Sequence, residues 1–238
     1  MTFPEFNFPV LTRWHRSKLL EHAQTVLTTQ QQMITLRGKN ILHYTLKKQR
    51  KHTKLIHYPK GDRVDRTTGS QYFYHCHRED LEHEEHGHFH CFLRRSHIPK
   101  RIRPVPLPDW NKYNKTAMTH LVAVSMNRLG QPIRLFTTNR WVTSETWYTG
   151  SETASFVKRF EFTVQDDPHW QVLDQWITSL LHLFLPQINW LHQQRDFMIA
   201  DYERQQPDEY VYENRTVEEL SSIRIDLNTQ IQWLLGPN

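Results

Sequence analysis

The sequence has little cysteine, little glycine and no long apolar run, and each shortage excludes a class of protein. Two cysteines in 238 residues cannot form a disulfide framework, so we expect a reducing compartment and a cytoplasmic location. Seven glycines, with no segment rich in glycine and serine, exclude a low-complexity or repetitive chain. No run of about 18 uncharged apolar residues occurs, and the first residues lack the order of a secretory signal, so we expect neither membrane insertion nor export.

The composition is that of a globular protein with a core. Apolar residues make up 37% of the sequence and aromatic residues 12%, which is enough to bury a substantial interior. The pattern along the chain predicts an α+β fold, in which an antiparallel sheet of about four or more strands is flanked by N- and C-terminal helices. We predict one domain over residues 1–238, with an N-terminal helical segment at 12–54, a sheet at 55–165 and C-terminal helices at 166–238.

The charge of the chain is distributed unevenly. Residues 1–66 contain 13 Lys and Arg against 4 Asp and Glu, or +9, whereas residues 161–238 contain 4 against 13, or −9. Two interpretations follow. The terminal helices pack together through their opposite charges, or the basic N-terminal segment provides a face for nucleic acid or an acidic partner.

Several segments have the periodicity of helices. Apolar residues recur at three- and four-residue spacing over residues 12–37, and Gly38 then predicts the end of that helix. Asp167 followed by Pro168 predicts the start of a second helix, with Trp170 and Trp176 on its core stripe. A third helix is expected around residues 188–201, with Trp190 also assigned to the core.

The last helix is predicted over residues 227–235. Thr216 and Glu219 have the spacing of a capping box, which predicts a helix start at that point as well.

The middle of the chain has the composition of an antiparallel sheet. Runs rich in aromatic and β-branched residues predict strands at 71–78, 86–95, 120–127 and 133–142. A proline-rich connector at 99–108 separates the second run from the third. The segment from Tyr58 to Asp62 carries a Pro and Gly turn signal, and it fits either a loop or a short strand.

Histidine is concentrated in one stretch of the predicted sheet, where residues 72–92 hold 6 of the chain's 16 histidines. Side chains alternate between the faces of a strand, so His75 and His77 share one side, and His86, His88 and His90 share one side of the partner strand. The opposite side is apolar and predicts the core; it comprises Tyr72, Tyr74, Cys76, Phe89, Cys91 and Leu93.

Two histidine rows on facing strands predict a metal site. Imidazole is the commonest metal ligand, and the predicted set is His75, His77, His88 and His90, with Glu82 or a neighbouring carboxylate completing it. His86, His120 and Arg140 are possible additional members. Three histidines and a water suit zinc, whereas two histidines and a carboxylate suit iron or manganese, so the divalent metal is Zn, Fe or Mn. We predict a metal-binding protein, either a metal-dependent hydrolase or oxygenase or a non-catalytic carrier.

Two catalytic families share part of this pattern and remain alternatives. Residues 86–92 resemble the signature of histidine-triad nucleotide hydrolases, which implies attack on phosphorus by the middle histidine, His88. The triplet from His88 to His90 also resembles the motif of HUH nucleases, which implies a metal that assists a tyrosine, here Tyr202, in attacking single-stranded DNA. A non-catalytic interaction protein is the third alternative.

Over most of its length the chain resembles an uncharacterised bacterial family known only as a domain of unknown function. The resemblance is carried by residues 58–62, 71–77, 85–90 and 135–143. It implies a shared fold and a bacterial origin, and it brings no activity to carry across. Within the last of these blocks, Thr137 to Arg140 fit either an anion-binding strand end or a capped, hydrogen-bonded strand terminus.

Overall fold

The computed structural model describes residues 5–37, 40–46, 56–76, 84–108 and 117–236. Within them, six strands form one antiparallel sheet in which each strand pairs with the next in sequence, in the order β1-β2-β3-β4-β5-β6. The strands are β1 (Tyr58–Val64), β2 (Ser70–His75), β3 (Glu85–Arg94), β4 (Met118–Asn127), β5 (Pro132–Thr138) and β6 (Glu219–Arg224). The prediction of an antiparallel sheet of four or more strands is confirmed.

N-terminal helices precede β1 and C-terminal helices follow β5, with β6 entering the sheet before the last helix, and the predicted α+β fold is confirmed. The helices are α1 (Arg13–Arg37), α2 (Ile41–Thr45), α3 (Arg140–Thr143), α4 (Gly150–Val157), α5 (Pro168–Leu183), α6 (Leu185–Gln205) and α7 (Leu227–Leu235). Among the described residues, no helix has both the length and the apolar character required to cross a membrane.

The long helices begin where the sequence predicts. The Asp167 side chain accepts a hydrogen bond from the backbone of His169, and Pro168 occupies the first turn of α5. One stripe of α5 is fully buried, and its Trp176 ring lies 5.7 Å from the ring of Phe89 on β3. The sequence therefore determines both the start of α5 and the face that covers the sheet.

The two ends of the chain are in contact. Helix α1 packs against α5 and α7. The Arg16 guanidinium donates hydrogen bonds to the carbonyl oxygens of Leu234 and Gly236, both at 2.8 Å, at the end of α7. A cation at a helix C-terminus satisfies carbonyl groups that lack partners within the helix. At least part of the basic N-terminal charge therefore serves helix packing.

The sheet has one apolar face, which lies in the main core. The residues predicted for that face are all buried in the same hydrophobic cluster as α1, α5 and α6, namely Tyr72, Tyr74, Cys76, Phe89, Cys91 and Leu93. Both cysteines are free thiols. The alternation of side chains along β2 and β3 therefore sorts core residues from site residues as predicted.

A buried ionic cluster joins this face to α5. The Arg63 guanidinium of β1 contacts both carboxylate oxygens of Asp174, and a second pair of hydrogen bonds joins it to Asp166 at 2.6 and 2.7 Å. The Tyr72 hydroxyl donates to Asp174 at 2.9 Å. Hydrogen bonds from Arg63 hold the pKa of Asp166 below its usual range. These contacts fix the edge strand β1 against the helix layer.

Two sequence-based expectations need correction. The strand predicted over residues 133–142 ends at Thr138, because the Asn139 side chain accepts a hydrogen bond from Arg140 N–H and starts the short helix α3. The capping-box prediction at Thr216 and Glu219 is wrong, since Glu219 is the first residue of β6. In each segment the local sequence fits both a helix and a strand. The pairing between β5 and β6 determines which residues are strand.

Candidate metal centre

Three histidines from two adjacent strands meet on the face of the sheet opposite the main core. His75 of β2 lies directly across from His88 of β3, and His90 follows two residues later on the same side. Each contributes one ring nitrogen, and the three nitrogens all lie within 4.8 Å of one another. The sheet register therefore brings these three predicted residues together.

The rings are oriented so that their Nε2 atoms converge. His88 Nε2 lies 2.8 Å from His75 Nε2 and 3.0 Å from His90 Nε2. Each pair of rings is steeply inclined, at 75° or 82°, with centroids 4.6 to 5.1 Å apart. Ligand nitrogens around a tetrahedral metal lie roughly 3.3 Å apart for bonds of about 2.05 Å. The two distances measured from His88 Nε2 are slightly shorter than that spacing.

A carboxylate fixes the orientation of His88. The Glu85 side chain is 2.8 Å from His88 Nδ1, and because a carboxylate accepts, the imidazole proton must lie on Nδ1. In the neutral ring the lone pair of His88 therefore lies on Nε2, at the centre of the cluster. Glu85 also accepts hydrogen bonds from Ser125 and from Arg134 at 3.2 Å. Histidine ligands of metals commonly have such a carboxylate behind them.

The charge of Glu85 is stabilised by the same contacts. Burial raises the pKa of Glu85, but the hydrogen bond from His88 and the neighbouring Ser125 and Arg134 outweigh it and lower the pKa to about 2. The carboxylate is therefore ionised at neutral pH and holds its proton donor, His88, in the ligand tautomer.

A second chain of hydrogen bonds supports His90. His90 Nδ1 lies 3.0 Å from His120 Nε2, and His120 Nδ1 lies 3.4 Å from the Thr138 hydroxyl. Burial, with smaller effects of His88 and Arg195, lowers the pKa of His120 to about 3, so this imidazole is neutral. When His90 offers its Nε2 lone pair, its Nδ1–H donates to His120. His120 thus joins the site as a supporting residue and not as a member of the three-nitrogen cluster.

Aromatic rings pack against the three-histidine cluster. Phe73 lies 5.4 Å from His75 and 5.1 Å from His90, and Phe136 lies 5.0 Å from His88, all measured between ring centroids. All three histidines are buried. The three imidazoles are therefore in contact with apolar rings on one side.

The prediction that His86 shares one side of the strand with His88 and His90 is wrong. The β3–β4 pairing shifts register between Glu85 and Gly87, and the His86 ring turns to the core face, where its Nδ1 lies 2.7 Å from the Tyr74 hydroxyl. A Cβ at Gly87 would lie 2.3 Å from the His75 carbonyl oxygen, so only glycine permits this approach.

Of the remaining predicted members, only Arg140 lies within the described residues, and it is not in the cluster. His77 and Glu82 lie outside the described residues. The buried Arg140 guanidinium donates to the Glu145 carbonyl at 3.2 Å and lies 3.9 Å from Glu213, which fits the structural interpretation of its block. Asn139 likewise bonds the carbonyls of the segment before β6.

Two supporting carboxylates carry no local sequence signal. Glu85 contacts His88 only because of the register shift beside it, and alternation alone does not predict that contact. Glu145 lies 25 residues from its main partner, accepting a hydrogen bond from His120 N–H at 2.7 Å and another from the Thr119 hydroxyl at 3.1 Å. Burial raises the pKa of Glu145 to about 7.

The raised pKa of Glu145 predicts a stability that falls as pH increases. Its folded pKa exceeds the ordinary value of 4.5, so the folded state binds the proton more tightly, and this stabilisation is lost as pH rises through about 7. We expect up to about 3 kcal/mol of pH-dependent stability from this group. Glu145→Gln should flatten the profile of unfolding free energy between pH 5 and 8, measured by urea denaturation. Parallel wild-type and variant profiles would contradict the assignment.

A charged cavity of about 580 Å³ lies beside the cluster. His88, Ser125 and Thr138 are part of its wall, and Arg134 stacks over the Phe136 ring at 4.4 Å. Four glutamates and two arginines also line it: Glu84, Glu85, Glu218, Glu219, Arg134 and Arg224. The lining suits a polar molecule.

Fold and site together define a class of protein: an α+β protein in which a six-stranded antiparallel sheet carries a buried three-histidine cluster that can hold a metal ion. The chain belongs to the family described as Domain of unknown function (DUF6969), which matches residues 20–225. The predicted membership of an uncharacterised family is thereby confirmed. The chain matches no curated protein and no solved structure.

Proposed function

We propose that the protein binds one divalent metal ion through Nε2 of His75, His88 and His90, and that this ion is zinc. The observation that carries the proposal is the convergence of three Nε2 atoms whose rings are held from behind, His88 by Glu85 and His90 by His120. Histidines that only fill space would not need to point their Nε2 atoms at one position.

Zinc fits this set better than iron or manganese. The described ligands are three imidazoles, and the nearest carboxylate, Glu85, is engaged at His88 Nδ1 on the outer side of the ring. Non-haem iron sites commonly combine two histidines with one carboxylate ligand, whereas three histidines and a water are a zinc arrangement.

Three protein ligands favour a hydrolytic role over a purely structural one. Structural zinc ions usually have four protein ligands, whereas a catalytic zinc keeps a position for water and lowers the pKa of that water to about 7. The polar cavity against His88 would take the substrate, and its wall includes Thr138 and the Arg134 guanidinium, which is paired with Glu85 and Glu219. We therefore propose a metal-dependent hydrolase of a small polar substrate.

Two alternatives fit the geometry less well. A histidine-triad hydrolase needs His88 Nε2 to face a phosphate, but that atom faces the nitrogens of His75 and His90. A tyrosine nuclease needs a tyrosine hydroxyl at the histidines, but the Tyr202 hydroxyl is bonded to Glu209 and Asn214. Metal binding uses the contacts of His88 with His75, His90 and Glu85.

The zinc affinity of the Glu85→Gln variant tests whether Glu85 holds His88 in position to bind the metal. The variant keeps the shape of the side chain but removes the charge that holds His88 Nδ1–H. Loss of such a partner typically weakens metal binding about 10- to 100-fold, and we expect that decrease here. Competition with a fluorescent zinc chelator measures the affinity.

The matched control is Glu84→Gln, because Glu84 is the neighbouring residue, is exposed and pairs with Arg224. It should bind zinc as the wild type does. Equal zinc affinity in all three proteins would show that Glu85 does not orient a ligand and would contradict the proposed coordination.

A further inference from the structure

A second cavity lies among helices that take no part in the metal centre. It has a volume of about 660 Å³ and lies between the N-terminal segment, α1 and the junction of α5 with α6. Cavities of roughly 300 to 1,000 Å³ are the size that holds a small organic ligand. We call it the helix groove.

One part of the helix groove is apolar and aromatic. Its wall includes Phe6, Leu11, Trp14, Leu185 and Trp190. Trp14 remains 64% exposed at the rim, although tryptophan is the side chain that gains most from burial. Phe6 packs edge-on against Trp190 with centroids 6.2 Å apart, which holds the N-terminal segment in place as one wall.

The other part of the groove carries positive charge. Lys18 and Lys158 are its permanent cations, and no aspartate or glutamate is among its described lining residues. Lys18 also pairs with Glu21 at 2.8 Å, whereas Lys158 has no carboxylate within salt-bridge distance among the described residues. The groove therefore presents unbalanced positive charge next to apolar surface.

Hydrogen-bond donors lie in the same wall. The His22 and His182 rings pack edge to face with centroids 4.8 Å apart, and Asn189 and Gln193 add amide groups. Burial, reinforced by His182, lowers the pKa of His22 to about 4, so its ring is neutral at pH 7 and can donate a hydrogen bond without adding charge.

We propose that the helix groove is a binding site for a small anionic amphiphile, a molecule with an aliphatic body and a single carboxylate. The aliphatic body would lie along Trp14, Trp190 and Leu185. The carboxylate would face Lys158 and the neighbouring imidazole and amide donors. Charge complementarity distinguishes this occupant from a neutral or cationic molecule of the same size.

Three probes with matched chains test the proposal on the full-length protein: octanoate, 1-octanol and octyltrimethylammonium. Binding is followed by calorimetry and by the fluorescence of the tryptophans in the groove. We expect octanoate to bind more tightly than 1-octanol, and octyltrimethylammonium to bind most weakly. Equal binding of octanoate and 1-octanol would overturn the proposal.

Variants locate the site. Lys158→Glu should weaken octanoate binding about fivefold or more through lost attraction and added repulsion, with little change for 1-octanol. Lys100→Glu makes the same charge change at an exposed residue outside the groove and should have no effect. Trp14→Ala, at an exposed position, should weaken both probes.

Two further results would count against the site. Since a carboxylate also binds zinc, octanoate binding that disappears in His90→Ala would place the ligand at the metal centre instead. If size-exclusion chromatography with light scattering shows a dimer that Trp14→Ala converts to a monomer, the groove is covered by a second copy of the chain. Either result would overturn the proposal and leave the proposed metal binding intact.

Discussion

Zinc is expected to raise the free energy of unfolding of the metal-free protein by about 4 kcal/mol when free zinc is about 1,000-fold above its dissociation constant. The stabilisation follows from linkage, because the three Nε2 atoms are brought together only in the folded state, by the pairing of β2 with β3. Urea denaturation of protein stripped with a chelator, with and without added zinc, measures the increment.

His90→Ala should abolish most of this increment. The variant also removes buried contacts and lowers the stability of the metal-free protein, so the informative quantity is the change that zinc produces within each protein. His15→Ala is the control, since His15 is an exposed histidine outside the three-histidine cluster and its ring contacts Thr12 and Trp14. An equal increment in wild type and His90→Ala would place zinc at another site.

Asp174→Ala should destabilise the protein by about 3 kcal/mol. Asp174 is 3% exposed and binds both Arg63 and the Tyr72 hydroxyl, so its removal leaves buried donors without their acceptor. The decrease is measured by urea denaturation at neutral pH, where the guanidinium is charged.

Asp166→Ala is the matched comparison because it removes the other carboxylate from the same guanidinium. Asp166 is 49% exposed, and exposed ion pairs contribute only about 0.2 to 1 kcal/mol. We expect a loss under about 1 kcal/mol. If the two variants lose the same stability, burial does not decide the strength of this cluster.

Alternation along strands was enough to predict the main division of the sheet. The sequence separates His75, His88 and His90 from Tyr74 and Phe89, and the structure confirms that the two sets lie on opposite faces. The reason is physical, since a strand has a side-chain period of two and the core accepts only the apolar set.

The alternation of side chains gave a wrong prediction where the register of β3 shifts. His86 has the spacing of a site residue, but the register shift beside Gly87 turns it toward Tyr74. The same shift brings Glu85 to His88 as a supporting carboxylate, whereas the sequence predicted a ligand carboxylate at Glu82 or a neighbour. In the sequence, a bulge of this kind is indicated by nothing stronger than a single glycine within a strand.

Long-range contacts account for the remaining differences. β6 pairs with β5 although all of α3 to α6 lies between them in sequence, and nothing within residues 219–224 specifies that pairing. Helix α5 was predictable because its cap and its apolar stripe are both local.

Elemental analysis by plasma mass spectrometry of untagged protein, purified without chelators, tests the central claim most directly. The wild type should contain about one zinc ion per chain, and the His88→Ala, His90→Ala double variant should contain almost none. Iron or manganese at the same stoichiometry would contradict zinc while retaining the site. Metal-free wild-type protein that takes up no zinc, iron or manganese on addition would contradict the metal centre itself.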